Sequence, residues 1–554
     1  MAAPTPTELR PSTAAWTWVT TPPTALSWPV PTSRSNASHP LPVMKKYCLY
    51  IGLVALGLAL QSCEDFLTQL PNGQQTTANF YTNADECKAA VMGCYALTDQ
   101  DDWWKIDRTR MFGDAGSDDA WKGNSIAGDQ REFGDFSRFF WLPNNEWFDN
   151  RYTFIFQAIG NCNAALVGVE KAPIDATLKQ QLLGELKFLR AYNYFELVKG
   201  YGGVPLVLTP VSPSQALTIQ RSSAADCYAQ IIKDLQDAAA ALPEKAARPS
   251  IEKGRATKGA ANAYLAKAYL FTEQWALSQQ AAEQVINSAQ YNLNDEFSYV
   301  WNVNNHNGNE SIFELNYSAN QTFNLGTALT VVMRSRADNG WGFNTPTSNL
   351  EQAFGNDPRR KWTIIKQGDN VGPKTASFDY SSYDTKPSEN ESGRISRKMF
   401  VPLADRPANE REHSPLNRIE MRYPDLLLIH AEASQRLGQD SKALTSLNLV
   451  RARANRLQPG TVLPRTSGGA QLLADIWLER RLELAMEGHR YYDLVRQKRL
   501  VQVMQAFNTS QRTNTDQYDG GKVKDQISEK NNLFPIPTPQ IQLSGGVVTQ
   551  NPGY

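Results

Sequence analysis

TKGAANAYLAKAYLFTEQWALSQQAAEQVINSAQ, residues 257–290, reads as two helical arms joined by a short turn. Ala260, Ala263, Tyr264, Ala266 and Ala268 lie on the first arm; Trp275, Ala281, Ala282 and Val285 lie on the second. Apolar residues recurring at three- and four-residue steps give each arm one face to bury. Alanine on that face lets two helix backbones approach closely. Thr272-Glu273-Gln274 marks the turn. The pattern returns over 422–455, where Leu426, Leu427, Ile429, Ala433 and Leu437 precede a Gly438-Gln439-Asp440 turn and Ala443, Leu444, Leu447 and Val450 follow.

A hairpin of roughly 34 residues with these features resembles a tetratricopeptide unit. Such a unit cannot bury its apolar face alone, so units stack. Further helices surround the pair. Leu178, Leu182, Leu186, Leu189 and Tyr192 form a stripe that stops at Lys199-Gly200-Tyr201-Gly202-Gly203-Val204-Pro205, glycine followed by proline. A helix is expected over 83–97, another over 224–242 closed by Pro243, and a fifth long one over about 470–499. Residues 100–150, 291–420 and 505–554 are rich in Gly, Asn, Asp, Ser and aromatics with weak periodicity. Loops this long inside a compact protein are usually functional. The expectation is a mainly α protein whose helical scaffold holds large irregular loops on one face.

The N-terminal region carries an address. Met44-Lys45-Lys46 precedes a 14-residue apolar run, Tyr47 to Leu60, and then Gln61-Ser62-Cys63. The run suits a signal peptide but falls short of the roughly 20 apolar residues a spanning helix needs. Leu60 at −3 and Ser62 at −1 resemble a bacterial lipobox, which makes residues 44–62 a lipoprotein signal and Cys63 the lipidated first residue. Residues 1–43 are rich in Pro, Thr, Ser and Ala and hold one acidic residue, Glu8. They read as a non-structural extension upstream of a true start at Met44.

Composition excludes several classes. The chain has 56 basic and 56 acidic residues, so no electrostatic footprint for nucleic acid is present. Apart from Cys48 in the signal and Cys63, four cysteines remain: Cys87, Cys94, Cys162 and Cys227. Cys87 and Cys94 sit two helical turns apart, beyond disulfide reach, and all four read as buried thiols. There is no C-x-x-C, and His39, His306, His413, His430 and His489 are scattered, which argues against zinc. No cofactor is expected. Loop carboxylates leave a structural Ca²⁺ open, without any EF-hand spacing.

Several stretches in order carry a family resemblance. They are Glu64-Asp65-Phe66-Leu67, Asn79-Phe80-Tyr81, the Gly200–Leu206 segment, Asp357-Pro358-Arg359, Met421-Arg422-Tyr423-Pro424-Asp425 with the following helix, Glu479 through Arg496, Phe534-Pro535-Ile536-Pro537, and Gln550-Asn551-Pro552-Gly553-Tyr554. Together they resemble the RagB/SusD family over essentially all of 63–554. The resemblance implies a right-handed α-superhelix of about four tetratricopeptide-like hairpins, with an N-terminal part over about 63–290 and a loop-rich C-terminal part over about 291–554. It implies a non-enzymatic lipoprotein on the surface of the outer membrane. Such a protein binds an oligosaccharide or other nutrient and delivers it to a SusC-like TonB-dependent barrel.

The charged segment 479–496 admits an enzymatic reading, because Glu479, Glu483 and Glu487 recur every four residues and glycosidases use paired carboxylates. Interleaved Arg480, Arg481, Arg490 and Arg496 favour a structural ion-pair network instead, and Arg422, Asp425 and Glu432 are assigned to the same kind of network. The tryptophans are more informative. Ten of thirteen follow Cys63 and so belong to the mature chain. Trp275 and Trp477 fall in helical patterns and are assigned to the core. Trp103, Trp104, Trp121, Trp301 and Trp341 fall in polar loops. A tryptophan face matches the C–H face of a sugar, and Asn, Asp and Arg match its hydroxyl rim. Arg336-Ala337-Asp338-Asn339-Gly340-Trp341-Gly342-Phe343 and Asp118-Asp119-Ala120-Trp121 have this mixture. The candidate ligand set is therefore Trp341, Asn339, Arg336, Asp338, Phe343, Trp121, Asp119, Trp103, Trp104 and Trp301. The competing reading is that these tryptophans pin loops onto the scaffold. Rival functions are a non-binding scaffold for the transporter complex and a glycoside hydrolase using Glu483 and Glu487.

Overall fold

The computed structural model describes residues 80–98, 108–126, 128–320, 322, 325–407 and 411–554. The upstream extension, the signal, Cys63, Trp103 and Trp104 lie outside the described residues.

The protein is mainly α-helical. Helices α1 (Ala84–Thr98), α2 (Arg108–Ala115), α3 (Arg131–Ser137), α4 (Glu146–Lys171), α5 (Ala176–Tyr201), α6 (Ala224–Ala241), α7 (Lys258–Phe271) and α8 (Trp275–Asn287) occupy the first half. The short α9 (Ser348–Phe354) lies in the loop-rich region. Helices α10 (Tyr423–Arg436), α11 (Asp440–Arg456), α12 (Gly469–Glu483), α13 (Arg490–Arg496) and α14 (Leu500–Thr513) follow it. In the series α4, α5, α6, α7, α8, α10, α11, α12, each helix packs on the next. The two repeats read from sequence are the α7–α8 and α10–α11 hairpins.

Local chemistry explains these elements. Asn145, Asp175, Ser223 and Thr257 each cap a helix by accepting a backbone N–H from its first turn. The Ser278 hydroxyl on α8 donates to the Ala266 carbonyl on α7 at 2.8 Å, tying the two arms together. Ala260, Ala263, Ala266 and Ala268 are fully buried, as close helix packing requires. Cys87, Cys94, Cys162 and Cys227 are buried free thiols.

Strands are few and short. Antiparallel pairs join β1 (Ala120–Trp121) to β3 (Thr345–Pro346), β2 (Ser311–Leu315) to β6 (Arg418–Arg422), and β4 (Ile364–Lys366) to β5 (Arg394–Ser396). Each pair links segments far apart in the chain and so sews the loop-rich region to itself and to α10.

Four expectations need correction. The long helix over 470–499 is broken: α12 ends at Glu483, Met486 and Gly488 take positive φ of 63° and 80°, and α13 starts at Arg490. The region 505–554 is not loop throughout, because α14 extends to Thr513. The region 100–150 contains α2, α3 and the start of α4. Finally, Trp275 and Trp477 are only half-buried, and the Arg436 guanidinium lies 5.3 and 5.5 Å from their rings.

Candidate functional site

Three loops converge next to α3. β1–β3 pairing sets Ala120 opposite Pro346 and Trp121 opposite Thr345. The zipper continues as Asn344 N–H donates to the Lys122 carbonyl at 2.6 Å and Thr347 N–H to the Asp119 carbonyl at 2.8 Å. The third loop joins on the other side: Ser125 N–H donates to the Glu389 carbonyl at 2.9 Å and Glu391 N–H to the Gly123 carbonyl at 2.7 Å. Gly123 makes this possible. Its φ is +106°, and a Cβ there would lie 2.4 Å from the Gly342 carbonyl oxygen.

The 336–343 segment stands on this base. Its backbone is fixed by three bonds, from Trp341, Gly342 and Phe343 N–H to the carbonyls of Val331, Arg334 and Val332 at 2.8–2.9 Å. Asn339 adopts the left-handed conformation, φ 54°, and is exposed. Trp341 is half-buried, packed on the core by one side. Arg336 is half-buried and forms ion pairs with Asp129 and Glu389. Trp341, Asn339 and Arg336 thus each keep solvent exposure on one loop with a preset backbone.

The other described candidates are turned inward, and each has an identifiable partner. Trp121 is 2% exposed; its indole N–H donates to Asp519 at 3.1 Å and its ring packs against Phe507. Phe343 is 5% exposed and meets Phe133 edge-on. Asp119 accepts from Arg481 Nε at 2.7 Å, while Asp118 is held by Arg490. Asp338 is buried and accepts from Arg406 at 3.0 and 2.7 Å and from the Tyr380 hydroxyl at 2.6 Å. Trp301 is 8% exposed and lies elsewhere, its ring 4.5 Å from the Lys398 ammonium. These five side chains are corrected from ligand-facing groups to supports. Buried aromatics and carboxylates that already have partners gain nothing from a ligand.

Residues missed from sequence complete the surface. Asp129 and Glu389 orient Arg336, and Arg138 pairs with Glu391 at 3.3 Å. Lys122 lies 6.0 Å from the Phe343 ring, and burial lowers its pKa. No local motif marks these groups, because more than 200 residues separate Arg138 from Glu391 and Asp129 from Arg336. Among the described residues, no cluster of three or more His, Cys, Asp or Glu is placed to hold a metal ion.

Glu483 and Glu487 are unsuited to hydrolysis. Glu483 is fully buried, ion-paired with Arg422 and Arg453 and 2.8 Å from Arg359. Glu487 is buried between Arg422 and Lys398, at 2.7 and 2.6 Å. Burial pushes both carboxyls up, but the surrounding cations outweigh it. Glu483 is held well below the usual range and Glu487 at about 2. A general acid needs the opposite shift.

The same network sets an acid limit on stability. Burial pushes Asp493 up, but Arg480 and Arg496 bring it down to about 2. Burial, aided by Lys267, pushes His489 down to about 3. In each case the folded state binds fewer protons than the unfolded chain. The stabilisation is therefore full above the ordinary values of 6.5 for His489, 4.5 for Glu487 and 3.8 for Asp493, and is lost as pH falls toward 2–3. Thermal midpoints measured by circular dichroism are expected to drop below about pH 6.5 and more steeply below about pH 4.5. A flat profile from pH 7 to 3 would contradict this assignment.

Comparison with known proteins gives a consistent picture. A family model described as the SusD family matches residues 270–554, and one described as starch-binding associating with outer membrane matches residues 65–270. A SusD-like protein of Formosa agariphila is 27% identical, covering 92% of this chain and 100% of its own. Among solved structures, a laminarin-binding SusD-like protein has a TM-score of 0.71 at 26% identity, covering 86% of this chain and 100% of its own. Surface glycan-binding protein A from Bacteroides fluxus has a TM-score of 0.69 at 24% identity, covering 85% and 99%, and speaks to the fold alone.

Proposed function

Because the chain belongs to the SusD family, we propose that it is a carbohydrate-binding lipoprotein of the outer-membrane surface that passes its ligand to a SusC-like TonB-dependent barrel. The observation that carries the binding role is the Trp341 surface. There a half-buried indole, an exposed amide and a guanidinium share one loop whose backbone is fixed by bonds to Val331, Val332 and Arg334 just before it. Rigid backbone and few rotatable groups reduce the ordering cost of capture. The neighbouring laminarin-binding protein adds support for a polysaccharide ligand. The lipobox ending at Cys63 and the outer-membrane description of the matched family support the location. The reading contains no catalytic step, and Glu483 and Glu487 act as structural anions.

Calorimetry of the mature chain against a glycan panel tests this. Binding of at least one oligosaccharide is expected, without release of reducing ends. Trp341→Ala should weaken that binding by about 2 kcal/mol, roughly 30-fold, when measured at a temperature where the variant is fully folded. Absence of binding across the panel would leave a transporter scaffold as the role. Accumulating reducing ends would restore the hydrolase.

A further inference from the structure

A second aromatic cavity lies outside the Trp341 surface. It has a volume of about 130 Å³ and is lined by Trp362, Trp301, Phe400, Arg397, Asn302 and Ser298 among others. That space suits one sugar ring rather than a helix or a strand. Trp362 is half-buried, and the Arg397 guanidinium stacks 4.2 Å from its ring centre. Trp301 forms an inner wall. Its ring is held by the Lys398 ammonium at 4.5 Å and by Phe297 edge-on at 5.0 Å. Its buried indole N–H has no hydrogen-bond partner among the described residues.

Charge around this cavity is one-sided. Arg397 donates to the Lys361 carbonyl at 2.9 Å and makes no ion pair among the described residues. Arg360 reaches Asp369 at 3.6 Å, and Lys361 is exposed. Asp357, three residues before Arg360, is taken by Arg359 at 2.6 Å. Asp369 faces both Arg360 and Arg397. Burial lowers the Arg397 pKa, the mark of a cation short of counter-charge. A planar guanidinium on an aromatic face keeps its N–H edge free for a carboxylate or sulfate.

We propose that this cavity is a second carbohydrate pocket, which takes a saccharide bearing an acidic substituent. The acid meets Arg397, the ring C–H face meets the Trp362 and Phe400 walls, and Asn302 meets hydroxyls. The proposal takes from the preceding reading only that the ligand is a carbohydrate. It does not depend on Trp341. One chain of contacts links the two regions. Arg406 lies 5.3 Å from the Phe400 ring centre and binds Asp338, three residues before Trp341.

The test is calorimetry of the mature chain with three probes: an oligogalacturonide trimer, a carrageenan-derived sulfated tetrasaccharide, and neutral laminaritriose. At least one acidic probe is expected to bind. Its affinity should fall tenfold or more in Arg397→Gln and in Trp362→Ala, and by less than threefold in Trp341→Ala. Arg397→Gln keeps the packing length, so it carries the test if Trp362→Ala folds poorly. The proposal is overturned if neither acidic probe binds, or if Arg397→Gln binds it as tightly as the parent chain. It is also overturned if Trp341→Ala alone abolishes acidic binding. Neutral binding that is lost only in Trp341→Ala would leave the carbohydrate reading standing while this pocket fails.

Discussion

Arg422→Met is expected to destabilise the protein by about 3–5 kcal/mol. Arg422 is almost wholly buried and bonds to three carboxylates. It meets Glu310 at 3.2 Å, Glu487 at 2.8 and 2.7 Å, and Glu483 more closely still. It also donates to the Glu483 backbone carbonyl. Methionine fills much of the volume but removes every donor. Lys398, Arg359 and Arg453 still hold Glu487, Glu483 and Glu310, yet one full charge of compensation has gone from a dry interior. The cost lies in the stranded anions rather than in any net gain from the original pairs, since desolvation offsets much of the attraction. Arg422→Lys should recover part of the loss, because it restores charge without the two-pronged geometry. Urea unfolding followed by tryptophan fluorescence measures both. A parental midpoint for Arg422→Met would refute the account.

The second large effect is expected at a glycine crossing. Gly113 in α2 lies against Gly488, the turn residue before α13. A Cβ on Gly113 would sit 1.9 Å from the Gly488 carbonyl oxygen. A Cβ on Gly488 would sit 2.5 Å from the Arg110 Cα, at a φ of +80° that side chains resist. Neither obstacle is a flexible side chain, so one backbone must move. The neighbouring bonds oppose any movement: Gly488 N–H donates to Asp114 at 2.9 Å, and Arg110 donates to the Met486 carbonyl at 3.4 Å. Gly113→Ala is expected to cost about 3 kcal/mol, at the upper end for overpacking. The displaced α2 leads directly into Asp118–Trp121, so the variant should also bind glycan more weakly than its lost stability alone explains. Calorimetry at a temperature where the variant is fully folded separates the two effects. Parental stability would show that the crossing can relax.

The hairpins at 257–290 and 422–455 were legible because alanine and leucine spacing reports helix packing without tertiary knowledge. The expected helix over 470–499 was misread because its charged period runs on through Gly488, although glycine there was a local stop signal. Helix α14 had its own signal, Leu500, Met504, Phe507 and Gln511 buried along one face, masked by the polar composition downstream. The site was legible in composition and only partly in orientation. The mixture around Trp341 marked an accessible loop, and Trp341, Asn339 and Arg336 keep solvent exposure on it. Trp121 has the same local chemistry but is decided by Asp519, 398 residues later. Asp338 is decided by Arg406 and Tyr380. Loop aromatics therefore carry no code for facing in or out; their distant partners assign it.

Those distant partners have a consequence for biosynthesis. Asp519 holds both the Trp121 indole and the Ser348 backbone, and Arg394 reaches Asp516 from the opposite loop. A nascent polypeptide stalled on the ribosome short of Asp516 lacks the clasp for segments translated hundreds of codons earlier. Interrupted synthesis should therefore yield fragments whose Trp121 and Ser348 segments lack this C-terminal support.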